Sequence, residues 1–303
     1  MQLSSASEIS KSDNVKLGGT NAIPALGPIV SKPTIVFGAD VSHAAPGSTA
    51  PSIVGVVASM DKQITRYGSR IAVQPSRQEH IAGLEGLVRS LLLQFKKSVK
   101  VKPERLIFYR DGVSEGQFPI VLAHEFSAIR AACRAIDPNF KPAITYIVCG
   151  KRQHLSMFPV ARAASDGKTG NVRAGTTIDT EVVSPFIFDW YTQSHASLFG
   201  TSRSCHYTVL VDETRFSADA IQQFSNAICY GYQRCTRSVS YATPAYYADL
   251  VCARGALLLS SDDDASSTAG SDPQAAAQLE ARYRDRFRAL HVNQMQRLFF
   301  MYV

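Results

Sequence analysis

The chain has 303 residues, 45% of them hydrophobic, which is enough for a large core in one extended α/β domain or two smaller ones. Its formal net charge of +7 comes from 32 Lys+Arg against 25 Asp+Glu, a balance that excludes an extreme polybasic or polyacidic chain. No apolar run approaches the ~20 residues of a membrane span and the N-terminus lacks the apolar core of a signal peptide, so a cytoplasmic, and also nuclear, location is expected.

In chain order, "PTIVFGAD" (33–40) and "SIVGVVASM" (52–60) are β-branched runs parted by the Pro, Gly and Ser of "VSHAAPGSTAP". A third strand is predicted over 64–73 after the short turn "DKQ", and three strands so closely linked make an antiparallel meander. Ile81, Leu84, Val88, Leu91, Leu92, Phe95 and Val99 then repeat at helical spacing, with Ser76 and Glu79 in the S-x-x-E pattern of a capping box.

Past that helix the order becomes strand (105–110), helix (115–136), strand (143–149), the alternation that yields parallel neighbours. Together the two halves predict a mixed sheet flanked by helices, in an order found in ribonuclease H-like folds and open to other α/β folds as well. Further strands are expected around 181–190 and 206–213, and helices from Ser217 to about Tyr232 and from Pro244 to about Leu258, where proline suits the first turn. The polar stretch "SSDDDASSTAGSDPQAAAQ" (260–278) reads as a flexible loop, and the apolar ending "MQRLFFMYV" as a buried tail. No repeats are found.

The six cysteines, Cys133, Cys149, Cys205, Cys229, Cys235 and Cys252, contain no C-x-x-C pair and read as buried thiols of a reducing compartment. Lys96, Lys97, Lys100, Lys102, Arg105 and Arg110 are bunched, either to meet a polyanion or as a solvated helix face leading into a loop. The chain has no G-x-S-x-G, P-loop, dinucleotide fingerprint or zinc spacing, which removes those chemistries.

The carboxylates carry the chemistry. Asp40 closes the first strand and Asp111 the fourth, and in a ribonuclease H-like order those strands lie parallel and adjacent, so the two side chains could share one Mg²⁺, a cation that takes oxygen ligands and keeps several waters. Taken singly, each Asp could equally be turn chemistry. Glu79 has a purely structural reading as the capping-box partner of Ser76, and Asp249, in "PAYYADLVCAR", would by composition alone face solvent. His43 and His206 have no ligand spacing and read as hydrogen-bonding residues.

The segments "FGADVSH", "PSIVGVVASMD", "RQE", "IFYRDGVSEGQF", "AGTTIDT", "GTSR", "HYTVLVDE", "RCTRSVSYATPAYYADLVCAR" and "MYV", in this order, resemble the PIWI domain of a eukaryotic, fungal-type Argonaute. The resemblance runs from about Asn14 to Val303, with residues 1–30 as a linker and remnant of a MID domain and 31–303 as the PIWI domain. It implies an RNA-guided endoribonuclease (slicer) that cuts a target RNA paired to a small guide RNA. Asp40, Glu79, Asp111 and Asp249 match the family's metal-site positions, and the set is complete. The implied chemistry is hydrolysis with two Mg²⁺ ions about 4 Å apart, for which Mn²⁺ can substitute, leaving a 5′ phosphate and a 3′ hydroxyl.

Base pairing would then supply specificity while the protein reads A-form shape, phosphates and 2′ hydroxyls. The same resemblance nominates Lys16, Lys151, Arg152, His206, Arg215, Arg234, Ser240, Tyr246 and Arg254 as guide-RNA contacts, against plain readings as surface ion pairs or core packing. It also implies N-terminal, PAZ and MID domains as partners beyond these residues, and silencing cofactors. Two other functions compete: a guide-binding module that silences by recruiting proteins without useful turnover, and a ribonuclease H-like nuclease or integrase acting on DNA.

Overall fold

The structure is a computed structural model that describes residues 11, 13–15, 17–46, 48, 50–259, 277, 278 and 280–285. Lys16, residues 260–276 of the polar stretch and the ending "MQRLFFMYV" lie outside the described residues.

One eight-stranded mixed sheet organises the molecule, in the ribonuclease H-like manner expected. β1 (Thr34–Ser42), β2 (Ser52–Ser59) and β3 (Tyr67–Gln74) form the antiparallel meander. β4 (Arg105–Asp111) joins β1 in parallel, and β5 (Ala143–Gly150) joins β4 in parallel. β8 (Cys205–Asp212), β7 (Asp189–Gln193) and β6 (Thr176–Ile178) extend the sheet antiparallel beyond β5, giving the order β3-β2-β1-β4-β5-β8-β7-β6. The central strands read as unbroken apolar runs because helices cover both of their faces.

Side-chain alternation sorts the core into two halves. Ile35, Phe37 and Ala39 of β1 and Leu106 and Phe108 of β4 pack against α1 (Leu84–Val99) and α3 (Ser127–Ile136). On this face Phe37 stacks on Phe108 with ring centroids 4.3 Å apart. Val36 of β1 and Ile107 and Tyr109 of β4 point the other way, towards α4 (Ala218–Ile228) and α5 (Thr243–Leu259). There the backbone of α5 presses on β1 at Gly38, where a Cβ would stand 1.9 Å from the Pro244 carbonyl oxygen. Only glycine permits that approach.

Several expectations are corrected. The capping box does not form: α1 starts at Leu84 behind Gly83, which takes a left-handed φ of 69° with no side-chain cap, and Glu79 is engaged elsewhere. The helix expected over 115–136 is helical over that whole span but changes type along it: a 3₁₀ turn (Glu115–Gln117), a short α2 (Phe118–Val121), a π-helical turn (Leu122–Phe126) and α3. The run 181–190 is strand only from Asp189, because "EVVSPFIF" is held in turns with Ser184 capped by Asp189 and Phe186 94% exposed. Residues 176–178 pair as a short strand with no periodic signature.

The basic bunch also divides. Lys96, Lys97, Lys100 and Lys102 are exposed, Arg105 donates to the Ile29 carbonyl at 2.7 Å and lies over Phe216, and Arg110 is fully buried. The described cysteines are all unpaired, and five of the six are buried. The segment before β1 packs onto the body: Leu26 and Ile29 are buried in the α4 and α5 half, and the Asn21 amide donates to Gln233 Oε1 at 2.8 Å. Among the described residues no helix is long and apolar enough to cross a membrane.

Candidate active site

The register of β1 against β4 pairs Ala39 with Arg110, so Asp40 and Asp111 stand one step further on, side by side where the parallel pairing ends; Asp40 does not close its strand as expected, because β1 stays paired with β2 through Ser42. By alternation both occupy the α5 face, the one carrying Gly38 and Tyr109. Both are buried, at 7% and 6% exposure. Asp249 approaches from α5, exposed on the side that opens to solvent, and lies within the electrostatic reach of both. Burial first, and then the neighbouring Asp111 and Asp249 charges, push Asp40 up to about 7, although Arg110 and Lys151 pull the other way. Asp111 is also raised, chiefly by burial, with Lys151 opposing.

Arg110 is one residue before Asp111 and therefore points to the opposite face. Its guanidinium is enclosed: Nε donates to Glu125 Oε1 at 3.3 Å, Nη1 to the Asp111 carbonyl at 2.5 Å, and Nη2 to the Glu79 carbonyl at 2.6 Å and to Glu79 Oε1 at 2.9 Å. Glu125 is 1% exposed, and the π-helical turn carries it inward. It also accepts from the Ile81 N–H at 3.0 Å and the Tyr146 hydroxyl at 2.5 Å. A buried guanidinium needs this degree of satisfaction.

Glu79 is thereby held at the strand ends rather than on a helix start. Its Oε2 lies 2.9 Å from His43 Nε2, whose Nδ1 lies 2.7 Å from the Ser52 hydroxyl. The same hydroxyl accepts from the Arg77 N–H, which ties the Glu79 loop to the start of β2. Gly112, with φ of 86° in the turn after β4, marks how near the acids come: a Cβ there would be 3.5 Å from Asp40 Oδ1 and 3.9 Å from Glu79 Oε1.

Asp40 and Asp111 thus stand together, with Asp249 within their electrostatic reach and Glu79 held beside the Gly112 turn by Arg110 and His43. The all-oxygen chemistry of the four acids fits hard cations such as Mg²⁺, and burial first, with neighbouring carboxylate charge added to it, makes Asp40 and Asp111 hold their protons more tightly than ordinary aspartates. As they are arranged, no three His, Cys, Asp or Glu among the described residues stand close enough to hold a metal ion. A protein cation takes part of that role, since Lys151 Nζ is 2.8 Å from Asp111 Oδ2.

The nominated RNA contacts fall in separate places. Lys151 sits among the aspartates, with the exposed Arg152 beside it where β5 ends. His206 pairs with Gly150 across the β5–β8 register, so it lies at this same edge, bonded to Asp189 Oδ2 at 2.6 Å and stacked on Tyr191. Arg215 follows the far end of β8, away from His206, and is exposed with a left-handed φ of 56°. Arg234 is exposed near Tyr232, and Ser240 is half-buried. Tyr246 packs between Tyr232 and Tyr241, and Arg254 is half-buried on α5.

Sequence reasoning missed three residues of this neighbourhood. Arg110 looked like one more surface cation, and only its place in a fully buried strand could have separated it. Glu125 carried no signal, because a π-helical turn shifts helical periodicity. Tyr241, buried with the Lys151 ammonium 3.8 Å from its ring centroid, lay within a segment that carries the resemblance but was not itself nominated.

Known proteins place this architecture. Residues 4–259 match the Piwi domain family. A curated relative, Protein argonaute MEL1 of Oryza sativa subsp. japonica, is 46% identical over 288 residues, covering 87% of this chain and 27% of its own length. The crystal structure of Kluyveromyces polysporus Argonaute with a guide RNA superposes with a TM-score of 0.77 at 31% identity, covering 84% of this chain and 32% of that one. The C-terminal lobe of a budding yeast Argonaute gives 0.76 at 30% identity, over 84% of this chain and 54% of that one. This chain therefore spans well under two thirds of these relatives, and with the match covering most of its own length it belongs to the Piwi domain family of the Argonaute proteins.

Proposed function

We propose that the chain is the slicer part of an Argonaute of fungal type: an RNA-guided endoribonuclease that cuts target RNA paired to a small guide RNA in gene silencing. The observation that carries this reading is the side-by-side placement of Asp40 and Asp111 where the parallel pairing of β1 and β4 ends, with Asp249 of α5 within their electrostatic reach and Glu79 tethered nearby by Arg110 and His43. Asp40, Asp111, Asp249 and Glu79 would hold the divalent ions, Mg²⁺ or Mn²⁺, which when bound supply the positive charge for activating water and stabilising the leaving 3′ oxygen.

The chain's own residues do the remaining work. Asp40 and Asp111 present rigid acceptors, because their backbones are locked into the sheet. Arg110 and His43 fix the Glu79 carboxylate through both of its oxygens, so it reaches the site without freezing out its rotamers at each turnover. Arg152 and His206, on the edge next to Asp111, stand where a nucleic-acid backbone crossing the site would meet positive or hydrogen-bonding groups. The products expected are a 5′ phosphate and a 3′ hydroxyl, formed without a covalent enzyme intermediate. The work would be done in the cytoplasm, with nuclear activity also expected, and with N-terminal, PAZ and MID domains as partners, a MID remnant being contained in residues 1–30.

The test is cleavage of a guide-paired RNA, and of its DNA counterpart, by the full-length protein with Mg²⁺. Asp111→Ala should lower the rate by about a thousandfold or more, the scale of losing a group that stabilises transition-state charge. Unchanged cutting would remove the assignment, and a preference for DNA would move it to another ribonuclease H-like activity. A second reading, silencing by recruited proteins without turnover, draws support from the spacing of the acids, which is too wide as arranged for a metal ion. Full silencing by the Asp111→Ala protein would favour it.

A further inference from the structure

Two cations act on the aspartates, and they differ in how fully they are committed. Arg110 is fully enclosed, and its donors are taken by Glu125, by Glu79 and by a backbone carbonyl. Lys151 reaches the same acids from the solvent side: its side chain is 38% exposed, and its ammonium makes an ion pair with Asp111 Oδ2 at 2.8 Å. It also lies 3.8 Å from the centroid of the Tyr241 ring, a distance at which the electron-rich face attracts a cation.

Tyr241 itself is 1% exposed, and its hydroxyl is buried without a hydrogen-bond partner. Its ring packs against Tyr246 at 5.2 Å. The phenol is thus committed to packing, and its face forms a floor under the lysine. The Lys151 side chain keeps 38% exposure, and the exposed Asp249 lies within its electrostatic reach. Burial weakens the Lys151 charge, but Asp111, Asp249 and Asp40 together outweigh it and favour the ammonium.

We propose that Lys151, seated on the Tyr241 ring, is a built-in counter-ion that competes with divalent cations for Asp111 and neutralises the acidic site until it is displaced. The inference rests on the reading that these carboxylates take a divalent cation. It also accounts for the spacing of the acids, since a carboxylate turned to a lysine is not turned to a shared metal. A nucleic-acid backbone crossing this edge offers the ammonium another anionic partner, so polyanion binding and cation entry are coupled in the same direction.

Mn²⁺ binding to the whole protein, followed by the loss of the free-ion electron paramagnetic resonance signal, tests this without reference to cleavage. Lys151→Gln should bind Mn²⁺ about fivefold more tightly than the parent, the equivalent of removing one partly exposed competing ion pair. Tyr241→Phe keeps the ring and should leave the affinity unchanged, whereas Tyr241→Leu removes the seat and should fall between the parent and Lys151→Gln. A short RNA duplex should tighten Mn²⁺ binding to the parent more than to Lys151→Gln. Equal or weaker Mn²⁺ binding by Lys151→Gln, with the parent binding normally, would overturn the counter-ion and leave the carboxylate site standing. No Mn²⁺ binding by either protein would overturn both.

Discussion

Arg110 and Asp111 are consecutive residues, yet they face opposite sides of one sheet and meet opposite electrostatic fates. On the α1 and α3 side, Arg110 finds a buried carboxylate, a second carboxylate and two backbone carbonyls. On the α5 side, Asp111 and Asp40 are nearly as buried, and burial first, then the neighbouring aspartate charges, keep Asp40 near 7 because Arg110 and Lys151 only partly offset them. One side is organised so that its charges are satisfied, the other so that they are available. A strand can hold both within a single step because alternation separates neighbours across the sheet, at no cost to the backbone pairing.

The comparison can be broken most forcibly from the satisfied side. Glu125→Ala takes one of two carboxylates from the buried Arg110 guanidinium and leaves the Ile81 N–H and the Tyr146 hydroxyl without their acceptor in the core, and unfolding in urea should show a loss of about 3–5 kcal/mol. A loss under about 1 kcal/mol would mean that water or another acceptor replaces the carboxylate.

The under-compensated side should respond with the opposite sign. A carboxyl near 7 in the folded chain and 3.8 as its ordinary value holds its proton more tightly when folded, so its contribution is fully present at low pH and declines as pH rises from about 4 to about 7. Asp40→Asn should therefore stabilise the metal-free protein above pH 7, by up to about 4 kcal/mol, with the gain fading below about pH 4. Urea titrations of both proteins at several pH values check this, and a gain independent of pH would assign the effect to something other than charge. Tyr146→Phe gives the smallest change: it removes one of the donors to Glu125 and leaves the ion pair with Arg110, for a loss of about 1 kcal/mol.

The same division explains what was legible in the sequence. β1 and β4 could be read, with Asp111 at the end of β4 and Asp40 two residues short of the end of β1, because strands covered on both faces leave long β-branched and aromatic runs. Their adjacency followed from the order of elements. The partners of those residues could not be read, because they come from other segments through geometry that no local pattern encodes. Ser76 and Glu79 fit a capping box in spacing, but the chain stays irregular to Gly83 and gives the glutamate to Arg110 and His43. Glu125 needs a π-helical turn to point inward, and Lys151 needed the structure to show that its target is an aspartate. "EVVSPFIF" illustrates the reverse failure, a strand-like composition on a segment whose Phe186 has no surface to bury against.

Gly38 has one more implication. It contributes no side chain, yet it sets the clearance between β1 and α5, as a spacer of fixed thickness sets the gap between two machined parts. Asp40 is two residues along the strand from it, and Asp249 is five residues along the helix from Pro244, the residue that rests on it. A single added methyl group would lift the helix and carry Asp249 away from the other acids while every carboxylate stayed intact. The tolerance of the site is thus written at a position that takes no part in its chemistry, where a silent-looking substitution would act as a calibration error.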